Sequence, residues 1–127
     1  MGLDMYLIPK YEEESLYDAK EKFNEIAYWR KAYSLDQWFR YHGNPIKDKD
    51  IYREITWGKP DEFGPSHWLI KREQLKELLK DLTDALDDEE HPLNDETGYL
   101  NIPDAVKQVI NALDHCKAKH FIYYASW

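Results

Sequence analysis

The sequence contains a single cysteine, Cys116, so an internal disulfide and a zinc site built from several cysteines are both excluded. It also lacks a long apolar run. The most apolar stretches, such as Phe121–Ala125, are far too short to span a bilayer. No basic segment followed by an apolar one stands near the N-terminus, as a secretory signal would require. We therefore expect a cytoplasmic protein without membrane contact.

Basic residues are missing from one segment. Between Asp81 and Asp104 there are nine acidic residues and no Lys or Arg, and this segment accounts for the formal net charge of −8. A basic excess is needed to attract phosphates, so direct nucleic-acid binding is not expected. The segment is interpreted either as a solvated helix end and loop or as an acidic face that meets a basic partner.

Aromatic residues are abundant, with 5 Trp, 10 Tyr and 4 Phe among 127 residues. Such side chains serve both cores and contact surfaces. The length and the ordinary apolar content predict a single domain over residues 1–127. Aromatic residues cover several faces of the segment from Tyr28 to Tyr41, which allows two interpretations. They form either a thick core with an oligomer interface or an exposed platform on which a ligand ring stacks.

Hydrophobic periodicity predicts an α+β fold: a small antiparallel sheet that includes both terminal strands, packed by about three helices. Strands are expected at Leu3–Ile8, ended by Pro9, and at Ile51–Trp57, His67–Ile70 and His120–Trp127. The first helix is expected from about Ser15 or Phe23 to Tyr41, with Gly43 just beyond its end. The second is expected over Lys71–Asp87, and the third begins at Pro103 with Val106, Val109, Ile110 and Leu113 on its apolar stripe. Asn94–Gly98 is a predicted turn.

Arg30 is the main candidate for chemistry. On the predicted first helix it points into an apolar face, where a guanidinium requires a carboxylate, a carbonyl or a ligand. Asp4 on the first strand is the internal partner we expect, and a bound anion is the alternative. The candidate ligand-binding residues are Arg30, Asp4, Tyr6, Trp29, Tyr33 and Trp38.

Metal and nucleophile motifs give little support to catalysis. His115 and His120 are five residues apart, a poor match to one helical face, and His67 beside Trp68 is interpreted as a surface strand residue. We expect no metal, no cofactor and no catalytic residue. A small enzyme with a non-standard site around Arg30, Asp4 and tyrosines stays open as the alternative function.

Three blocks of sequence resemble a family of small bacteriophage and prophage proteins. They are the opening Met1–Leu7, the Ala27–Ala32 block followed by Trp38 and Phe39, and the ending Phe121–Trp127. The resemblance implies a phage origin and a bacterial host cytoplasm. It also implies an accessory protein that acts by binding, which either sequesters a small anionic, nucleotide-like ligand or blocks a host or defence protein.

Overall fold

The computed structural model describes residues 2–51, 65–94 and 99–126, and within them five strands form one antiparallel sheet. The strands are β1 (Asp4–Lys10), β2 (Ala27–Arg30), β3 (Asn44–Pro45), β4 (His67–Lys71) and β5 (His120–Ser126). Their order in the sheet is β2-β1-β5-β4-β3. The two chain ends are therefore adjacent, as predicted, with Asp4 opposite Ser126 and Lys10 opposite His120.

The described helices are α1 (Leu16–Lys22), α2 (Tyr33–His42), α3 (Asp48–Ile51), α4 (Arg72–Leu86) and α5 (Ile102–His115). The α+β class is confirmed, and so are the two helices with the clearest apolar spacing, α4 and α5. The predicted stripe of α5 needs one correction, because Ile110 is 41% exposed. The buried residues of this helix are Ile102, Ala105, Val109 and Ala112.

The predicted first helix is wrong, because the chain from Ser15 to Tyr41 forms a helix, a strand and a second helix. Left-handed backbone at Phe23 (φ 49°) and at Lys31 (φ 54°) separates the three elements. Residues Ala27–Arg30 alternate between buried and exposed, which is the period of a strand. Pairing with β1 therefore overrides local helix propensity, and Arg30 lies on a strand.

The first strand continues through Pro9 instead of ending there. The carbonyls of Leu3 and Leu7 accept hydrogen bonds from the N–H groups of Lys31 and Ile26, which flank β2. The backbone N–H and C=O groups of odd-numbered β1 residues therefore point towards the β2 side of the strand. The pairing with β2 extends only to Leu7. Among the described strands, none pairs with Pro9 on this side, so its missing N–H breaks no ladder hydrogen bond there.

Gly43 follows α2 as predicted, and its N–H donates to the Phe39 carbonyl at 2.8 Å. Its φ of −80° is open to any residue. Close packing is what requires glycine there, since a Cβ atom would lie 2.5 Å from the Ile70 side chain and 2.8 Å from the Phe39 oxygen.

The sheet has two unequal faces. One, here called the covered face, packs its side chains against α2, α4 and α5, and holds the larger core. The other, here called the second face, packs Ile8 and Ile122 against α1 and α3 in a smaller core. In the segment from Tyr28 to Tyr41, Trp29, Trp38 and Phe39 are buried, whereas Tyr28 and Tyr41 are exposed.

Some predictions fall outside the described residues. Ile51 ends α3 instead of starting a strand, and the rest of the predicted strand to Trp57 is not described. Residues 95–98 of the predicted turn and the final Trp127 are also outside the described ranges. Among the described helices, none combines the length and the apolar character needed to cross a membrane.

Candidate functional site

Four aromatic rings run straight across the second face of the sheet. Tyr28, Tyr6, Tyr124 and His67 occupy directly opposed positions on β2, β1, β5 and β4. The ring centroids are 5.2 Å apart for Tyr28 and Tyr6, 5.8 Å for Tyr6 and Tyr124, and 4.3 Å for Tyr124 and His67. Opposed side chains on neighbouring strands are in contact distance, so the register alone assembles this aromatic row.

Exposure rises along the aromatic row from β4 to β2. His67 is fully buried, Tyr6 and Tyr124 are half-buried, and Tyr28 is 42% exposed. Phe23, just after α1, packs its ring edge-on against Tyr6 at 5.0 Å. The row is therefore anchored inside the protein and reaches solvent at the edge strand.

A charged cluster stands at the exposed end of the row. It consists of Asp4, Tyr28 and Arg30, and we call it the edge cluster. The Tyr28 hydroxyl donates to Asp4 Oδ1 at 2.5 Å, and this hydrogen bond, followed by desolvation, raises the pKa of Tyr28. Arg30 Nε lies 3.9 Å from the same oxygen, and the Arg30 side chain is 63% exposed. The carboxylate thus fixes the phenol but leaves most guanidinium donors facing solvent.

Gln108 of α5 holds the edge strand in place from outside the sheet. Its Oε1 accepts from the Tyr28 N–H at 2.9 Å, and its Nε2 donates to the Tyr28 carbonyl at 3.2 Å. A second bond from Nε2 to Asp104 Oδ2, at 2.9 Å, orients the amide. At Tyr28 the amide takes the place of a further strand, because it pairs with the backbone N–H and C=O that point out of the sheet edge. The backbone of Tyr28 is therefore held at a defined position.

A second polar cluster lies on the covered face, where sequence reasoning placed none. Asp36 is 5% exposed; it accepts a hydrogen bond from the Tyr123 hydroxyl and another, at 2.8 Å, from Arg40 Nε. The Arg40 guanidinium lies over the Trp68 ring, 4.3 Å from its centroid. Burial, and then the neighbouring Asp36 charge, raises the pKa of Tyr123. The Asp36 carboxylate and the Tyr123 hydroxyl are therefore paired inside the protein, which is the pattern of a structural anchor.

The six predicted ligand-binding residues are divided between the two faces. Asp4, Tyr6 and Arg30 meet on the second face, where Asp4 and Arg30 are a cross-strand pair. Trp29 and Trp38 are buried on the covered face, 6% and 8% exposed, and Tyr33 packs half-buried against the same core. Trp38 Nε1 donates to Asp81 at 2.8 Å, so this member of the acidic segment has a structural partner.

Two predictions from the sequence are wrong, one about Arg30 and one about His67. Arg30 is exposed on a strand instead of buried on a helix, although its nearest carboxylate is Asp4, as expected. His67 lies on a strand as predicted but is buried, and burial, with a smaller effect of Lys20, lowers its pKa to about 4.

Sequence reasoning missed Tyr28, Tyr124 and His67 as members of the row. The signal was present as alternation: Tyr28 stands two residues before Arg30, just as Tyr6 stands two after Asp4. For Tyr28 this signal is hidden, because the local pattern around Ala27–Arg30 predicts a helix.

Two depressions lined by described residues lie away from the edge cluster. One is a small cavity between β1 and α1, and the other is a groove between the end of α4 and the start of α5. The edge cluster itself lies on the surface of the sheet. Within the described ranges, no three His, Cys, Asp or Glu side chains are grouped so that they could hold a metal ion.

Comparison of the chain with protein-family models, curated proteins and solved structures gives no match. The function must therefore be argued from the geometry of these residues.

Proposed function

We propose that the chain is a phage-type accessory protein that acts by occupancy, and that the edge cluster together with Tyr6 is its contact surface for a protein of the bacterial host. The observation that carries the proposal is the exposure of Tyr28 and Arg30 side by side on a rigid strand edge. Tyr and Arg are the residue types that most often dominate the binding energy of protein interfaces.

The cluster is prepared for contact before any partner arrives. The bond to Asp4 fixes the Tyr28 ring, and Gln108 fixes its backbone. A rigid aromatic side chain loses little conformational entropy on binding, so pre-organisation of this kind favours affinity. The location at the exposed edge of the sheet favours a broad partner surface over a deeply enclosed ligand.

A small anionic ligand is the second candidate. An exposed guanidinium next to an exposed phenol ring can pair with a phosphate or carboxylate while the ring stacks on a base. A nucleotide-like ligand would therefore use the same residues, Arg30 and Tyr28.

The resemblance of the terminal and Ala27–Ala32 sequences to small phage proteins supports the choice of a bacterial host as the place to look. It also supports a role in blocking a host or defence protein, which needs binding and no turnover.

The test is affinity capture from bacterial lysate with the wild-type chain and the double variant Tyr28→Ala/Arg30→Ala. Tyr41→Ala is the matched control, because Tyr41 is 85% exposed on α2, away from the second face. Captured proteins and nucleotides are both quantified by mass spectrometry. We expect at least one protein to be lost with the double variant and kept with the control.

A titration of the captured partner then gives the size of the effect. We expect the double variant to bind at least about tenfold more weakly, a loss of about 1.4 kcal/mol or more. A nucleotide that follows the same pattern, without a protein, would favour the second candidate. If neither class of molecule depends on Tyr28 and Arg30, the proposed contact surface is wrong.

A further inference from the structure

A groove of about 610 Å³ lies between the end of α4 and the start of α5. Its apolar lining includes Ala85, Leu86, Leu100 and Ile102. Leu86 is 47% exposed, so its apolar side chain is accessible at this place.

Hydrogen bonds fix the backbone at both walls of the groove. Asn94 Nδ2 donates to the Ala85 carbonyl at 2.7 Å and to the Asp88 carbonyl at 2.8 Å, which satisfies the last turn of α4. On the other wall, Asn101 Oδ1 accepts from the Asp104 N–H at 3.0 Å and caps the start of α5. A partner would therefore meet a groove that is already formed.

Glu89 is the acidic residue among those that line the groove. Asp84, Asp87, Asp88 and Glu90 are close to it in sequence and are exposed. The last turn of α4 contains no basic residue. Acids at a helix C-terminus are disfavoured by the helix dipole, and within the described residues none of these five forms an ion pair. Asp88 Oδ1 accepts from the Glu90 N–H at 3.0 Å, and the other four carboxylates are at exposed positions.

We propose that this groove docks a cationic, amphipathic segment of a partner protein. An apolar side chain of the segment would pack between Leu86 and Ile102, and its Lys or Arg residues would meet the acids around Glu89. Complementary charge steers such an encounter, and the apolar anchor supplies affinity. The groove is separate from the edge cluster, so either proposal can fail without the other.

The first test uses a fluorescein-labelled amphipathic peptide made of Lys, Leu and Ala, with binding followed by fluorescence anisotropy. Two further peptides replace every Lys by Glu or every Leu by Ser. We expect the parent peptide to bind, with an affinity that falls as salt is added, and both altered peptides to bind at least about tenfold more weakly. Failure of the parent peptide to bind at low salt would overturn the proposal.

Variants then distinguish the groove from net charge. Leu86→Ser and the triple variant Asp88→Asn/Glu89→Gln/Glu90→Gln should each weaken binding at least about tenfold. Ile110→Ser, at a 41% exposed position on α5, is the control for the apolar change. Glu21→Gln/Glu73→Gln/Glu77→Gln removes the same charge from other exposed positions. Both controls should bind the peptide within about twofold of the wild type.

Equal weakening by the two triple variants would mean that net charge alone attracts the peptide, and the groove would be excluded. The same conclusion would follow if Leu86→Ser bound as tightly as the wild type. Amide chemical shifts of the wild-type chain give a readout that does not depend on any variant folding. Peptide-induced shifts should concentrate at Leu86, Leu100 and Ile102, and shifts spread over the whole surface would contradict docking.

Discussion

The covered face and the second face of the sheet both contain a carboxylate paired with an arginine and a tyrosine, but the two groups differ in what satisfies them. On the covered face, Asp36 accepts from Tyr123 and, at 2.8 Å, from Arg40, and is almost fully buried. On the second face, Asp4 accepts from Tyr28, but Arg30 stays 3.9 Å away and largely exposed. The carboxylate of the first group is enclosed by its partners, whereas the second group leaves a guanidinium whose side chain is 63% exposed.

Removal of the buried carboxylate should have the largest effect on stability. Asp36→Ala leaves the Arg40 charge and the Tyr123 hydroxyl without their partner, so we expect a loss of about 3 kcal/mol or more in unfolding free energy. Urea denaturation measures it. Asp84→Ala, at an exposed position on α4, is the control and should change stability by less than about 1 kcal/mol. A loss no larger than that of the control would show that the buried group is not an anchor.

The same substitution on the two faces sharpens the contrast. Tyr123→Phe removes one hydrogen bond to a buried carboxylate and should cost about 1.5 to 3 kcal/mol. Tyr28→Phe removes the equivalent bond to Asp4 at an exposed position, and we expect its melting temperature to match the wild type. Thermal unfolding measures the stability of both variants. Similar losses of stability would mean that the two faces do not differ in this respect.

The two faces also differ in how well the sequence predicts them. The apolar spacing of Leu75, Leu78 and Leu82 was sufficient to place α4, because the signal is local and long. The strand Ala27–Arg30 is only four residues long, and it forms because β1 is available to pair with it, which is information that no short window contains.

The candidate site was predicted in part for the same reason. The sequence points to Asp4, Tyr6 and Arg30, but it places Arg30 on a helical face that does not exist. Once the strand is known, its pairing with β1 places Arg30 opposite Asp4. Because side chains alternate between the two faces of a strand, Trp29 then points into the core. The buried Asp36 could be suspected only from its spacing of four residues before Arg40.

The buried end of the aromatic row predicts a dependence of stability on pH. His67 has its pKa lowered to about 4 by burial, whereas an unfolded histidine titrates near pH 6.5. The unfolded chain therefore binds the proton first, so stability is complete above about pH 6.5 and falls as the pH decreases towards about 4. Between about pH 7.5 and 5 we expect a loss of about 2 kcal/mol.

Urea denaturation at several pH values measures this dependence. His67→Phe keeps a ring against Tyr124 but does not titrate, so most of the slope should disappear. His115→Asn, at an exposed position on α5, should keep it. An unchanged slope in His67→Phe would assign the pH dependence to other groups.

A small effect on stability is also expected at Arg30, although the effect on binding there should be large. A buried ion pair would have made Arg30→Ala costly, but the side chain is 63% exposed and its contact with Asp4 is 3.9 Å long. We therefore expect a change in unfolding free energy of less than about 0.5 kcal/mol, as for other exposed pairs.

Arg30→Lys should be equally stable, yet it replaces the planar five-donor fork with a single ammonium. If Arg30 meets the partner as proposed, both variants should lose affinity for it while their urea denaturation midpoints stay at the wild-type value. A loss of about 2 kcal/mol or more for Arg30→Ala would mean that the Asp4 pair supports the fold, and the two faces would then differ less than their exposures indicate.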